Sequence, residues 1–266
     1  MKRISSLILV IILTISGINA QDFEVAPVII NFTANPGEIQ QQKVTIRNHS
    51  NFEEDFTFTV GDYKIDKDGK QIRMKAGESD RSLADWLTIN PSILTLNPNE
   101  EKEIDVIITV PKDGNATKWG MIYVQAATEQ QENPLDKQLA TGILIKPRIV
   151  ILVNQSPKTN NKYFAKINDL KEVTSKNDST RAFEVVVENT GDKIIEARVQ
   201  LAIANLETAN EQKFKKEMKR VFPGEKRNFI LTIPKNAGQG KYALAAILDY
   251  GHGTNLEAKQ MLIDFK

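Results

Sequence analysis

Apolar and polar residues alternate with a period of two along almost the whole chain after its first 20 residues. In Glu103–Val110, every second residue from Ile104 onward is apolar, so these side chains share one face. Such alternation predicts strands with one buried face and one solvated face. Turn signals recur at intervals of about 8–12 residues, which favours a sandwich or a barrel. The predicted strands are Val25–Phe32, Lys43–Arg47, Asp55–Val60, Glu103–Val110, Met121–Ala126, Gly142–Val153, Ala182–Glu188, Ala197–Ala204, Asn228–Ile233, Lys241–Tyr250 and Lys259–Phe265.

The two halves of the chain repeat one plan of strands and turns. In each half a strand ends in an Asn turn, at Asn48 and at Asn189, and a later strand stops at a Pro-Lys pair, at Pro111 and at Pro234. Proline lacks a backbone N–H donor and therefore marks the end of ladder pairing. The repeat predicts two similar domains with a polar linker between them. The predicted division is 22–153, 154–161 and 162–266.

Three segments between the strands have their own patterns. Ser82–Trp86 predicts one helical turn, and Glu207–Met218 is interpreted as a polar hairpin connection or a charged edge strand. The Asp-Gly pair at Asp68 predicts a hairpin turn. A calcium loop does not fit there, because Lys64 occupies the position that requires an oxygen ligand.

Residues 1–20 have the pattern of a secretory signal peptide. Lys2 and Arg3 are basic, and Leu7–Ile15 is apolar but too short to span a bilayer of about 30 Å. The segment closes at Ala20 with small residues nearby, which suits cleavage. The alternative is an uncleaved membrane anchor. We expect a periplasmic or extracellular protein without a transmembrane segment in the mature chain.

Composition excludes several classes of function. The formal net charge of +1 becomes −1 when the two leader cations are removed, so the sequence predicts no basic face for nucleic acid. The chain has no cysteine, which excludes disulfides, cysteine nucleophiles and thiolate metal sites. With two histidines in separate halves, we expect no transition-metal site and no cofactor.

The sequence offers two histidines as candidates for a catalytic base. The histidines, His49 and His252, both lie in turn sequences, where solvated side chains are the simplest interpretation. A Ser–His pair stays open, because such partners meet in space and not in sequence. Neither histidine has the context of a nucleophile elbow. We predict a protein without catalytic residues, and a β-sandwich hydrolase is the least favoured hypothesis.

A family resemblance follows from the first half. The string VAPVIINF…GEIQQQKVTIRNHSN…ADWLTINPSILTLNPNEEKEIDVIITVPKDG…WGMIYV resembles the N-terminal domain of PapD-like periplasmic chaperones over about residues 22–153. Its features are Pro27 early in the first strand, the turn at Asn48, Trp86 shortly before a segment that contains Pro and Leu, and Gly120 before a late strand. The resemblance implies an immunoglobulin-like β-sandwich.

The paired arrangement also resembles the two-domain WxL-interacting proteins, through FEVVVENTGD, the turn at Pro223–Glu225 and GKYALAAILDYG. That resemblance implies a peptidoglycan-binding domain followed by a host-binding domain. Their terminal transmembrane helix and basic tail have no counterpart after Phe265. Together these observations predict an all-β protein of two tandem immunoglobulin-like (PapD-like) antiparallel β-sandwich domains after a signal peptide.

The resemblance also implies candidate partner contacts. PapD-like chaperones hold a client's terminal carboxylate with one basic residue in the first strand and one in the last strand of the first domain. The late strand offers Lys146 and Arg148, whereas the first strand has no basic residue, and Pro147 interrupts the late strand. Trp119 is the third candidate, either as a stacking residue for a sugar or as a core residue.

The main hypothesis is an exported, non-catalytic binding or assembly protein. It would contact envelope or surface proteins, or cell-wall polysaccharide, through sandwich edges, because an open edge leaves backbone groups unpaired. The alternative is a periplasmic PapD-like chaperone for pilus or surface-protein assembly. The late strand Gly142–Val153 is the expected contact, while the partner and the domain that binds it stay open.

Overall fold

The computed structural model describes residues 22–127, 130–131, 144–145, 147–175, 178–252 and 256–265. The predicted signal peptide lies outside these residues. The described part of the chain is almost entirely β-structure, with one short 3-10 turn at Ala84–Trp86 where a helical turn was predicted. No helix in these ranges has the length and apolar character needed to span a membrane.

The strands are numbered in chain order. The first half contains β1 (Phe23–Ala26), β2 (Ile29–Phe32), β3 (Ile39–Asn48), β4 (Glu54–Ile65), β5 (Gln71–Lys75), β6 (Leu87–Asn90), β7 (Ile93–Leu96), β8 (Glu101–Thr109), β9 (Lys118–Ala126), β10 (Gln130–Gln131), β11 (Leu144–Ile145) and β12 (Arg148–Gln155). The second half contains β13 (Ala165–Glu172), β14 (Thr180–Asn189), β15 (Ile195–Asn205), β16 (Glu211–Lys213), β17 (Glu217–Val221), β18 (Lys226–Pro234), β19 (Gly240–Asp249) and β20 (Glu257–Phe265).

Two sheets form the first sandwich. The four-stranded sheet has the order β1-β3-β8-β6, and the six-stranded sheet has the order β2-β12-β9-β4-β5 with β7 on β4. The predicted strand Val25–Phe32 divides near Pro27, because β1 pairs with β3 whereas β2 crosses over to pair with β12. The β2–β12 pairing is parallel, and the other pairings are antiparallel. The alternating apolar residues meet in one buried core between the sheets.

The second sandwich repeats this layout with fewer strands. A three-stranded sheet β13-β14-β18 faces a five-stranded sheet β16-β15-β19-β20, with β17 also paired to β15. A separate core fills the space between them. The stretch Glu207–Met218 supplies β16 and the start of β17 at a sheet edge, which confirms the interpretation as a charged edge.

The repeated Asn turns are equivalent in atomic detail. Asn48 and Asn189 are both fully buried. The backbone N–H of Asn48 donates to the carbonyl of Glu100 at 2.9 Å, and that of Asn189 donates to the carbonyl of Glu225 at 3.1 Å. Both side-chain amides donate to backbone carbonyls within the turn. Since a buried amide requires such partners, each Asn ties the end of its strand to the Pro-and-Glu turn.

The predicted hairpin turn joins β4 to β5. Gly69 adopts a φ of +96°, which a residue with a side chain rarely tolerates. The Asp66 carboxylate accepts the backbone N–H of Lys70 at 2.8 Å, and this bond is the main reason why the pKa of Asp66 lies below its usual range. The turn therefore needs no metal ion to be held in shape.

Candidate strand-binding edge and the cleft beside it

One side of β12 is only partly covered. The backbone N–H of Leu152 donates to the carbonyl of Val28 at 2.9 Å, and that of Ser156 donates to the carbonyl of Phe32 at 3.1 Å. Backbone groups of alternate residues point to the same side of a strand, so those of Arg148 and Val150 point to this side as well. Among the described residues, no strand pairs with them there. We call the stretch Arg148–Ile151 the open edge.

Apolar side chains surround the open edge. Ile151 is buried in the core of the first sandwich, and Ile149 packs against the same core. Val150 faces the opposite side of the sheet and packs near the junction of the two sandwiches. At the end of the open edge, Val28 is 48% exposed and Ile29 is 43% exposed. A chain that paired with β12 would cover this apolar surface.

Of the two basic candidates on the late strand, one can be described. Lys146 lies outside the described residues. Arg148 is exposed at the start of β12, and its guanidinium lies over the ring of Tyr123 at 4.7 Å from the centroid. Its Nε donates to the side-chain oxygen of Gln125 at 3.0 Å. Pro147 precedes β12 and separates it from β11, as expected from its missing donor.

Trp119 lies away from the surface. It is 3% exposed, its indole N–H donates to the carbonyl of Tyr63 at 2.9 Å, and its ring lies 4.9 Å from the ring of Phe222. Tyr63 and Trp119 belong to the first sandwich and Phe222 to the second, so this aromatic cluster joins the two. The burial corrects the interpretation of Trp119 as a sugar-stacking surface residue, because no face of the ring is accessible.

Asp192 ties the sandwiches together on one side of the aromatic cluster. Its carboxylate accepts hydrogen bonds from the side chain of Arg81, from the backbone N–H of Thr117 at 3.2 Å and from Asn160 at 2.6 Å. These partners come from the first sandwich and from the connection between the sandwiches. A carboxylate with three donors is well satisfied and fixes the relative position of its partners.

The β4–β5 hairpin makes a second tie on the other side. The backbone N–H of Ile65 donates to the carboxylate of Glu225 at 3.1 Å, and the backbone N–H of Asn228 donates to the carbonyl of Lys67 at 2.9 Å. Burial raises the pKa of Glu225 above its usual value, and its second carboxylate oxygen has no hydrogen-bond partner in the described part of the chain.

The cleft between the sandwiches begins where β2 and β12 end. On those strands the cleft presents Asn31 and Asn154, whose side chains share a hydrogen bond of 2.9 Å. The basic residues that line the same cavity of about 310 Å³, Lys193 and Arg220, come from the second sandwich. The basic pair expected from the family resemblance is therefore not formed by the strands described here.

The two cations of the cleft differ in their surroundings. Lys193 is 8% exposed, and its Nζ donates to the carbonyl of Pro157 at 2.7 Å. Burial is also the main cause that lowers its pKa. Arg220 is exposed, and no carboxylate among the described residues forms an ion pair with it. Glu196, its register partner on β15, lines the same cavity but forms its ion pair with Arg198, so Arg220 is the exposed cation of the cleft.

The histidines lie in loops of different sandwiches. His49 is 3.2 Å from the carboxylate of Glu24, and His252 stacks on Tyr163 with ring centroids 3.5 Å apart. In the described ranges, no group of three or more His, Asp or Glu residues is placed to hold a metal ion.

The main contacts that sequence reasoning missed are Asp192, Phe222 and Glu225. Each lies in or beside a turn of the second half that repeats a turn of the first. The repeat therefore accounted for each of these residues as part of a turn and gave no reason to look for a contact. Nothing in the local sequence indicates that these particular turns face the other sandwich.

A comparison with solved structures finds similar chains. A chain from the chaperone–tip adhesin complex vital for synergistic activation of CFA/I fimbriae biogenesis matches with a TM-score of 0.52 and 13% identity, over 91% of this chain and 98% of that one. The class 5 fimbriae chaperone CfaA matches with a TM-score of 0.49 and 14% identity, over 90% and 98%. The CsuC–CsuE pre-assembly complex of Acinetobacter baumannii gives 0.43 and 14%, over 80% and 91%.

These likenesses bear on the fold. The first of them extends over both sandwiches and confirms the predicted all-β, PapD-like architecture. No protein-family model and no curated protein matches the sequence. The resemblance to WxL-interacting proteins stays a prediction.

Proposed function

We propose that this protein is an exported, non-enzymatic chaperone that holds a surface-protein subunit by β-strand addition to β12. The observation that carries the proposal is the open edge. Arg148 and Val150 direct backbone donors and acceptors away from β9, where no described strand meets them. A partner strand completes such an edge with main-chain hydrogen bonds, and its side chains supply specificity.

The extent of the open edge supports a client strand of limited length. Coverage by β2 begins where the carbonyl of Val28 accepts the N–H of Leu152, so an added strand meets β2 at this point. The exposed side chains of Val28 and Ile29 lie at the junction. Burial of apolar surface adds about 25 cal/mol per Å² to the hydrogen bonds of the edge.

A client chain that enters the cleft beyond the open edge approaches the second sandwich. Arg220 is the exposed cation there, it forms no ion pair with a described carboxylate, and Asn154 lines the same cavity. We propose that Arg220, with Lys193 behind it, attracts the terminal carboxylate of the client, in the role that the basic pair has in PapD-like chaperones.

A protein client is favoured over cell-wall polysaccharide. An open strand edge is recognised by another polypeptide backbone, which a polysaccharide lacks. The aromatic residue predicted to stack on a sugar, Trp119, is buried. The similar chain with a TM-score of 0.52 comes from a chaperone–tip adhesin complex, which supports the same class of partner. The location we propose is the periplasm or the cell surface, after removal of the signal peptide.

The test uses two variants of one position, expressed in the native host. Val150→Pro removes one donor from the open edge and places a ring in the path of an added strand, while the bonds of its neighbours to β9 remain. Val150→Ala shortens the side chain to a similar degree but keeps the donor. We expect the amount of subunit that co-purifies with the proline variant to be at least about tenfold lower than the amount that co-purifies with the alanine variant. Equal recovery of the subunit with both variants would contradict the proposal.

A further inference from the structure

A groove lies on the outer face of the six-stranded sheet, between β5 and β12. Its volume is about 530 Å³, and its floor is formed by Thr59, Gly61 and Tyr123. Its rim carries Arg73 and Lys75 from β5 on one side and Arg148 from β12 on the other. The groove is thus adjacent to the open edge, because Arg148 belongs to both.

The floor of the groove is a well-defined surface. A Cβ atom on Gly61 would lie 2.7 Å from the ring of Tyr123, so the ring lies directly against the glycine backbone. The guanidinium of Arg148 lies over the same ring. Such stacking leaves the planar guanidinium ordered and able to donate to an anion.

The lining of the groove has an excess of positive charge, with three cations and one carboxylate. Arg73, Lys75 and Arg148 are exposed, and no carboxylate of the described residues forms an ion pair with any of them. Glu78, the acidic residue of the groove, directs a carboxylate oxygen to the backbone N–H of Lys75 at 2.8 Å. Cations that converge on a concave surface raise the local concentration of anionic partners.

We propose that this groove binds an acidic peptide segment of the same client that adds a strand to β12. The inference rests on the proposed function, because that strand brings the client to the groove. Side chains on one face of paired strands lie side by side, so client residues on the outer face lie next to Arg148. An Asp or Glu of the client at these positions is attracted by the three cations, whereas a Lys or Arg there is repelled by them.

The probes are two fluorescent decapeptides with the same alternating valines, which differ only in having Asp or Asn at the intervening positions. We expect the chain to bind the Asp peptide about fivefold more tightly at low salt, with most of the preference lost at about 0.5 M salt. The double variant Arg73→Gln/Lys75→Gln should weaken binding of the Asp peptide by about fivefold and leave the Asn peptide unchanged. Lys235→Gln, an exposed cation of the second sandwich, is the matched control and should have no effect.

Three results would overturn the inference: equal affinity for both peptides, an equal effect of the double variant and of Lys235→Gln, or tighter binding of an acidic polysaccharide such as polygalacturonate than of the Asp peptide.

Val150→Pro separates this inference from the proposed function. If the proline variant loses both peptides while the double variant keeps its preference for Asp, the groove assignment fails and strand addition stands. If Val150→Pro binds both peptides normally, strand addition fails.

Discussion

The last strands of the two sandwiches occupy equivalent places but have different edges. β12 pairs with β9, and β20 pairs with β19, each in antiparallel register. The edge of β12 presents unpaired backbone groups between apolar side chains. On β20, the carbonyl of Asp264 accepts the guanidinium of Arg181 at 2.9 Å. Charged residues protect an edge strand from pairing, and β20 carries several of them: Glu257, Lys259 and Asp264.

The path of the first strand explains the difference. In the first sandwich the chain leaves the four-stranded sheet after β1, and β2 covers only the second half of β12. In the second sandwich β13 stays paired with β14, and the side chain of Lys259 on β20 donates to the carbonyl of Asn168 on β13. One plan thus produces one edge flanked by apolar side chains and one edge along which charged side chains lie.

The largest expected effect tests what the two sandwiches have in common. Asn48→Ala and Asn189→Ala each remove a buried amide and leave backbone carbonyls without donors. We expect each substitution to lower the free energy of unfolding by about 2–4 kcal/mol. Denaturant unfolding measures both.

The control for this pair is Asn210→Ala. Asn210 is exposed at the start of the charged edge and uses only its backbone groups in hydrogen bonds. Its replacement should change stability by less than about 0.5 kcal/mol. If one of the two buried substitutions behaved like this control, the equivalence of the turns would be lost.

The repeated turns also show how far the sequence determines the fold. Alternation identified most central strands, because each buries one face in a core. It missed β13, in which a register irregularity between Ile167 and Asp169 breaks the period of two. It also missed β6 and β7, which are only four residues long.

The candidate site was less predictable than the fold. The sequence indicated the late strand, yet the open edge exists because the coverage of β12 by β2 begins only at Val28, which depends on pairing between distant segments. The cations of the groove come from β5 and β12, which are far apart in the chain. Trp119 was ambiguous for the same reason, since its burial depends on Phe222 of the other half.

A smaller effect tests the contact between the sandwiches. Because burial raises the pKa of Glu225, the folded chain binds this proton more tightly than the unfolded chain, whose carboxyl has a pKa near 4.5. The contribution of Glu225 to stability is therefore present at acidic pH and is lost as pH rises through its folded pKa. Glu225→Gln keeps an acceptor for the N–H of Ile65 and should be slightly more stable than the natural chain near neutral pH.

The measurement is thermal unfolding as a function of pH for both chains. The gain from Glu225→Gln should shrink on acidification and disappear below the usual carboxyl range, at about pH 4. Glu211→Gln, on the exposed edge strand β16, is the control and should show no such trend. A variant that is destabilised equally at all pH values would show that the carboxylate of Glu225 is not under a burial cost.

Amide hydrogen exchange at Val150 tests strand addition most directly, with the free chain compared to its complex with a client. In the free chain the Val150 amide should exchange rapidly and the Ile151 amide, which faces β9, slowly. In the complex the exchange of Val150 should slow by at least about tenfold, while the amides of β20 stay unchanged. Rapid exchange of Val150 in both states, or protection already in the free chain, would contradict strand addition at β12.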